Sequence, residues 1–299
     1  MSSTPPIFGT LTGKRAIQNK VATWALAAMF LVVVVPLGLL LSTVAIKGLP
    51  AISWKFLTGD IAASERRPTG GIGPAIVGTT LAVTLASIIA IPLGVLGAVY
   101  LNEYGKTGRL ARLIRFMTSV MAGVPSIVVG LFVYIGWTLT LSKRVDPKGG
   151  GLSAFGGALA LACLMLPVII RATEEMLRLV PDQLREASFG LGASHSRTIV
   201  KIVLPAALPG VVSGVLLAIA RAAGETAPLL FTIGASKALN VNPFRGANTA
   251  LPAQIFSNAN STFAQAQQRG WGAALTLVAL AFLATVIARI ISQRFALKR

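Results

Sequence analysis

Glu186-Ala187-Ser188-Phe189-Gly190-Leu191-Gly192, completed by Ile202-Val203-Leu204-Pro205, is a polar, charged stretch in an otherwise oily chain. Long apolar runs flank it on both sides, so it must be a loop lying outside a bilayer. Its spacing is Glu-Ala-small, three residues, glycine, nine residues, then Ile-x-Leu-Pro. A pattern that fixes several identities across about twenty positions is far more specific than a short motif.

The local chemistry predicts two short helices joined by a turn. Pro181 and Asp182 suit a first helical turn, where proline has no N–H to lose and an acid complements the dipole. Leu184, Ala187, Ser188 and Leu191 then fall on one face at helical spacing. Gly192 permits a sharp turn, because glycine takes left-handed geometry without strain. Ile199, Ile202 and Val203 restart an apolar face, and Pro205 and Pro209 bracket entry to the next run. An apolar-faced helix–turn–helix suits insertion into a groove on a partner, with Glu186 placed to meet a basic group there. The plainer alternative is a loop resting on lipid headgroups.

The 299 residues are 54% hydrophobic and 12% charged. Soluble domains carry about 25% charged residues, so the chain reads as lipid-embedded. A net charge of +18 raises nucleic acid as a partner. The basic residues flank apolar segments instead, which is what membrane topology produces. Cys163 has no cysteine to pair with, and His195 has no visible convergent partners for a metal.

Six spans are predicted, near 22–46, 73–101, 117–141, 152–172, 209–234 and 271–292. The first follows a polar tail, 1–21, and is too long for a secretory signal. Residues 22–299 form one membrane domain, with a loop over about 174–208. Lys and Arg are denser on the side holding the N-terminus, which has 16 (Arg109, Arg112, Arg115, Arg171, Arg178, Arg185, Arg197 and Lys201 among them), than on the other, which has 10 (Lys143, Arg144 and Lys148 among them). The positive-inside rule therefore places both termini and the Glu186–Pro205 loop in the cytoplasm.

Arg221 and Glu225 fall in the fifth predicted span, in Ala220-Arg221-Ala222-Ala223-Gly224-Glu225-Thr226-Ala227-Pro228. A charge at the bilayer centre costs about 2.5–3.5 kcal/mol on insertion scales, so intramembrane ionisable residues are functional candidates. Four residues apart, the two share a face and partly neutralise each other. The alternatives are a buried pair that fixes packing or a compensated arginine on an anion path, with Thr226 adding a hydroxyl. A guanidinium fork matches phosphate oxygens, and a passage must bind weakly enough to release.

The loop spacing resembles the cytoplasmic coupling loop of ABC-importer permeases, on which a separate ATPase docks. Three further stretches make the chain similar to the PstA-type phosphate importer permeases: Gly70-Gly71-Ile72-Gly73-Pro74-Ala75-Ile76-Val77-Gly78-Thr79, Arg221 through Leu230, and Leu251-Pro252-Ala253-Gln254-Ile255-Phe256, read as an outer-surface helix. The resemblance implies an all-α polytopic protein of the type I ABC-importer permease fold in a bacterial or archaeal cell (inner) membrane. It implies a non-catalytic subunit that imports inorganic phosphate. The implied partners are a PstC-type permease, a PstB-type ATPase dimer that binds ATP and Mg, and a PstS-type extracytoplasmic phosphate-binding protein. No cofactor is expected in this chain. The coupling residues would be Glu186, Ala187, Ser188, Gly192, Ile202, Leu204 and Pro205, and the substrate-path residues Arg221, Glu225 and Thr226. Ser188 departs from the signature, which often has a second alanine. Gly9–Arg15 superficially matches a phosphate-binding loop but has one spacer too few and arginine where Ser/Thr should hold the metal.

Three competing readings follow from the same residues. One is an ABC permease for molybdate, sulfate or an amino acid. Another is an ion-coupled secondary transporter, which explains Arg221–Glu225 but leaves the loop without purpose. The third is a membrane sensor of phosphate status.

Overall fold

The computed structural model describes residues 13–67, 69–142 and 151–295. Gly9–Thr12 of the rejected phosphate-loop look-alike, Lys143, Arg144 and Lys148, and the basic C-terminal Lys298 and Arg299 lie outside the described residues. The described residues are helical, and the chain divides into two compact units, Met1–Lys47 and Gly48–Arg299. The first unit is essentially one helix, α1 (Lys14–Gly48), with Pro36 inside it.

In the second unit, α2 (Trp54–Thr58) leads to α3 (Gly73–Val99), which runs on through a wide π turn at Tyr100–Gly105. There follow α4 (Arg109–Gly123), α5 (Ser126–Val133) with a π segment at Tyr134–Leu141, and α6 (Ala154–Arg178). Next come α7 (Asp182–Gly190), α8 (His195–Thr198) with a π turn at Ile199–Val203, and α9 (Leu204–Gly224). Last are α10 (Ala227–Thr232), α11 (Leu251–Ala259) and α12 (Ala264–Phe295).

The core is built from very small residues. α3 buries Gly78, Ala82, Ala86, Ala90, Gly94 and Ala98, one every four residues, and packs along α6. A side-chain carbon on Gly94 would stand 2.6 Å from Ile169 Cγ2 of α6, so glycine there sets the helix separation. On α9, Gly210 faces Met176 and Gly214 faces Ala172 in the same way. Without a hydrophobic drive between helices in lipid, close backbone approach is what small residues contribute.

Five helical stretches are long and apolar enough to cross a membrane: Lys14–Ala51, Gly73–Gly105, Ala154–Arg178, His195–Gly224 and Ala264–Ile287. Two predicted spans are corrected. The third, over 117–141, is not one helix: Arg109–Gly123 and Ser126–Leu141 meet at 108°. Pro125 disfavours helical geometry in the residue before it, and Val124 is extended (φ −72, ψ 130). The fifth, over 209–234, starts earlier and stops at Gly224. Pro228 has no N–H to return to the Gly224 carbonyl, and Glu225 is extended (φ −69, ψ 127) before α10 begins.

Beyond the Gly224 end of α9, loops fold over the bundle. The outer helix expected at Leu251–Phe256 is α11, and the hydroxyl of Thr79 on α3 accepts from Leu251 N at 2.8 Å. Two of the quoted stretches therefore meet. Asn248 accepts from Ala154 N (3.0 Å) and donates to Asn240 O (2.7 Å), which orders the long connector.

Candidate functional site

The Glu186–Pro205 stretch folds as a helix–turn–helix elbow. Pro181 caps α7, Gly192 takes φ +79 at the turn, and Ser194 precedes α8. The turn closes on itself, with Gly192 N donating to Phe189 O (2.9 Å) and Ala193 N to Ser188 O (3.1 Å). Pro205 directly follows the π turn at Ile199–Val203, where the helix already departs from regular bonding and a missing N–H is accommodated. Ile199 and Val203 are buried against Ala98 and Val99 at the end of α3, together with Val180 and Leu177, while Ile202 and Leu204 are half-buried.

The expected single face of α7 divides in two. Glu186, Ala187, Leu184 and Leu191 are exposed, and Leu191 is 90% exposed. Ser188 points inward instead, and its hydroxyl lies 2.8 Å from that of Thr198, both buried. The contact gives the buried Ser188 hydroxyl the partner it needs away from water. The His195 ring stands edge-on to Tyr104 at 4.9 Å and stacks near Phe189 at 6.0 Å.

Arg221, Glu225 and Thr226 come together at the break between α9 and α10. Arg221 Nε lies 3.4 Å from Glu225 Oε1, a long contact, with side-chain exposures of 61% and 18%. The pair is therefore neither buried within the chain nor midway along a helix. It sits at the opposite end of α9 from the elbow, 17 residues beyond Leu204, or about 25 Å at 1.5 Å per residue. The break lies where the long apolar stretch His195–Gly224 ends, at the end of α9 away from Leu204.

Two charged clusters escaped the sequence reading. Arg185 on α7 reaches Glu103 in the π turn after α3, and Arg115 on α4 reaches Glu174 on α6. In the sequence these arginines counted only toward charge bias. The available signal was the scarcity of acids, nine in 299 residues, because each buried carboxylate in such a chain needs a partner.

Residues 90–297 match the family described as "Binding-protein-dependent transport system inner membrane component". A "Phosphate transport system permease protein PstA 1" of Mycobacterium tuberculosis is 44% identical over 297 residues, 97% of this chain and 94% of the relative. A PstA of Mycobacterium leprae is 45% identical over 92% of this chain and 88% of its own length, and one of Yersinia pestis 38% over 93% and 90%. Among solved structures, the inward-facing MetNI methionine ABC transporter aligns with a TM-score of 0.56 at 20% identity, covering 77% of this chain and 95% of that one. An ABC transporter importing the polysaccharide alginate aligns at 0.57 and 16% identity, covering 94% and 99%. Those likenesses show the fold. The chain is a multi-pass membrane protein that belongs to the binding-protein-dependent transport system inner membrane component family.

Proposed function

We propose that this chain forms half of the membrane passage of an ATP-driven importer of inorganic phosphate. The observation that carries the reading is the elbow: a projecting α7 whose exposed Leu184, Ala187 and Leu191 have no cover, held rigidly from behind. Its family membership and the names of its relatives support phosphate as the cargo.

In this reading the elbow faces the cytoplasm, as do both termini, and α7 seats in a groove of a PstB-type ATPase. ATP and Mg bind to that partner, and this chain needs no cofactor. A PstC-type permease completes the passage, and a PstS-type protein delivers phosphate from outside. Glu186, Ala187 and Gly192 serve the docking surface, while Ser188, Ile202, Leu204 and Pro205 hold its shape. α9 is the rod that joins the elbow to Arg221. Arg221 offers phosphate a forked cation, Glu225 weakens its hold so that the ion leaves, and Thr226 adds a hydroxyl.

Purification of the tagged chain in mild detergent should bring down an ATPase and a second permease. In cells, excess phosphate should abolish labelled-phosphate uptake and sulfate or molybdate should not. An impermeant label should reach a cysteine at Glu186 only from inside. Labelling from outside, or uptake equally sensitive to sulfate, would overturn the reading.

Gly192→Val tests the elbow alone. No atom lies within 4 Å of the missing side chain, so the change acts only through φ. A left-handed β-branched residue costs about 1–2 kcal/mol, roughly five- to thirtyfold in a docking equilibrium. The variant should reach the membrane at normal levels with severalfold less ATPase attached. Undiminished co-purification would count against the elbow as the docking element.

A further inference from the structure

The inward side of α7 carries a joint. Arg185 is 14% exposed and its guanidinium makes five hydrogen bonds. Nη2 donates to Glu103 Oε1 (2.9 Å) and Leu177 O (3.1 Å), and Nε donates to Glu103 Oε2 (3.4 Å). Nη1 donates to Val180 O (2.7 Å) and Asp182 Oδ1 (3.1 Å). Glu103, only 5% exposed, also accepts from Asn102 Nδ2 at 2.8 Å. One side chain thus ties the end of α6 and the start of α7 to the π turn that ends α3.

That π turn is gripped from its other side as well. Arg115 on α4 donates to Leu101 O (2.9 Å) and Lys106 O (2.6 Å) and pairs with Glu174, which Arg178 also holds. Lys106 closes the turn as the only non-glycine with positive φ among the described residues. Single π turns joined to α-helices recur at functional sites. Apolar packing of Val180, Ile199 and Val203 beneath the elbow gives cohesion, but it is non-directional. A buried, forked, charge-assisted contact fixes direction as well as distance.

We propose that Arg185 and Glu103 are positioning residues for transport: the pair carries movement of the α7–α8 elbow into the end of α3, the helix packed along the centre of the bundle. This rests on the elbow being the ATPase docking element. Glu103 faces no groove for the ATPase, so its loss should spare docking and impair only what docking achieves.

The test uses the complete importer reconstituted in liposomes, with radiolabelled inorganic phosphate and ATP hydrolysis followed together. Glu103→Gln should retain the ATPase and its hydrolysis while phosphate moved per ATP falls about tenfold, within the usual range for coupling between sites. Half-saturation by phosphate should stay unchanged. Arg185→Lys keeps the charge and loses the fork, so it should assemble fully with intermediate coupling. Wild-type coupling in both Glu103→Gln and Arg185→Lys overturns the proposal. So does a loss in Glu103→Gln that merely tracks the amount of assembled complex. If wild-type complex itself shows no ATP-dependent phosphate uptake, the elbow reading fails and takes the joint with it, and that control separates the two failures.

Discussion

Arg221→Ala should abolish phosphate uptake, by about a hundredfold or more, while the chain stays folded and assembled. The two halves of this expectation have different causes. Assembly should survive because Arg221 is 61% exposed and holds Glu225 through one contact of 3.4 Å. Exposed ion pairs contribute about 0–1 kcal/mol, too little to unfold a bundle. Uptake should fail because no other described basic residue lies in the break between α9 and α10. An anion crossing there would meet Glu225 uncompensated, and like charge repels. Labelled uptake in cells, with blotting for the chain and co-purification of partners, checks both halves. Normal transport by the variant would remove Arg221 from the anion path. Arg221→Lys should recover only part of the rate, because an ammonium lacks the fork that matches two phosphate oxygens.

Gly78→Ala should cost the fold itself. A side-chain carbon at Gly78 would stand 1.9 Å from the Thr249 carbonyl oxygen, which is backbone and cannot rotate aside. Relief requires shifting α3 away from the segment leading into α11, and that movement would break the bond from Leu251 N to Thr79. Overpacking costs about 1–3 kcal/mol where side chains yield, and a backbone clash should exceed that, at roughly 3 kcal/mol or more. The expected readout is little monodisperse protein in detergent and a lower melting temperature for what remains. The same substitution at Gly136, which has nothing within 4 Å, is the control. Equal behaviour of the two variants would contradict the packing described here.

The elbow was legible in the sequence because its determinants are local. Proline and aspartate open α7, and a left-handed glycine ends it, so spacing alone predicts two helices and a turn. The orientation of Ser188 was not legible, since it depends on Thr198 closing back across the turn. Two spans were misread for one reason. Averaged apolarity runs straight through Val124-Pro125 and Glu225–Pro228, whereas backbone bonding does not. Arg221 and Glu225 read as mid-helix charges because apolar residues continue beyond them, yet Pro228 had already ended the helix. The Arg185–Glu103 contact joins residues 82 apart in sequence, and no local period records it.

The ladder on α3 bears on how such a molecule moves. Glycine and alanine at every fourth position give α6 a nearly smooth rail, with methyl-sized teeth rather than interlocked leucines. Sliding one helix along another normally demands that large side chains leave their rotamers together, which is why close-packed interfaces resist shear. Here α6 answers that rail with fully buried Leu161, Met165 and Ile169, and Ile169 seats against Gly94, so lengthwise sliding meets a large side chain at once. The same close contact that holds the bundle together keys α3 to α6, so the two helices shift as a pair rather than past each other.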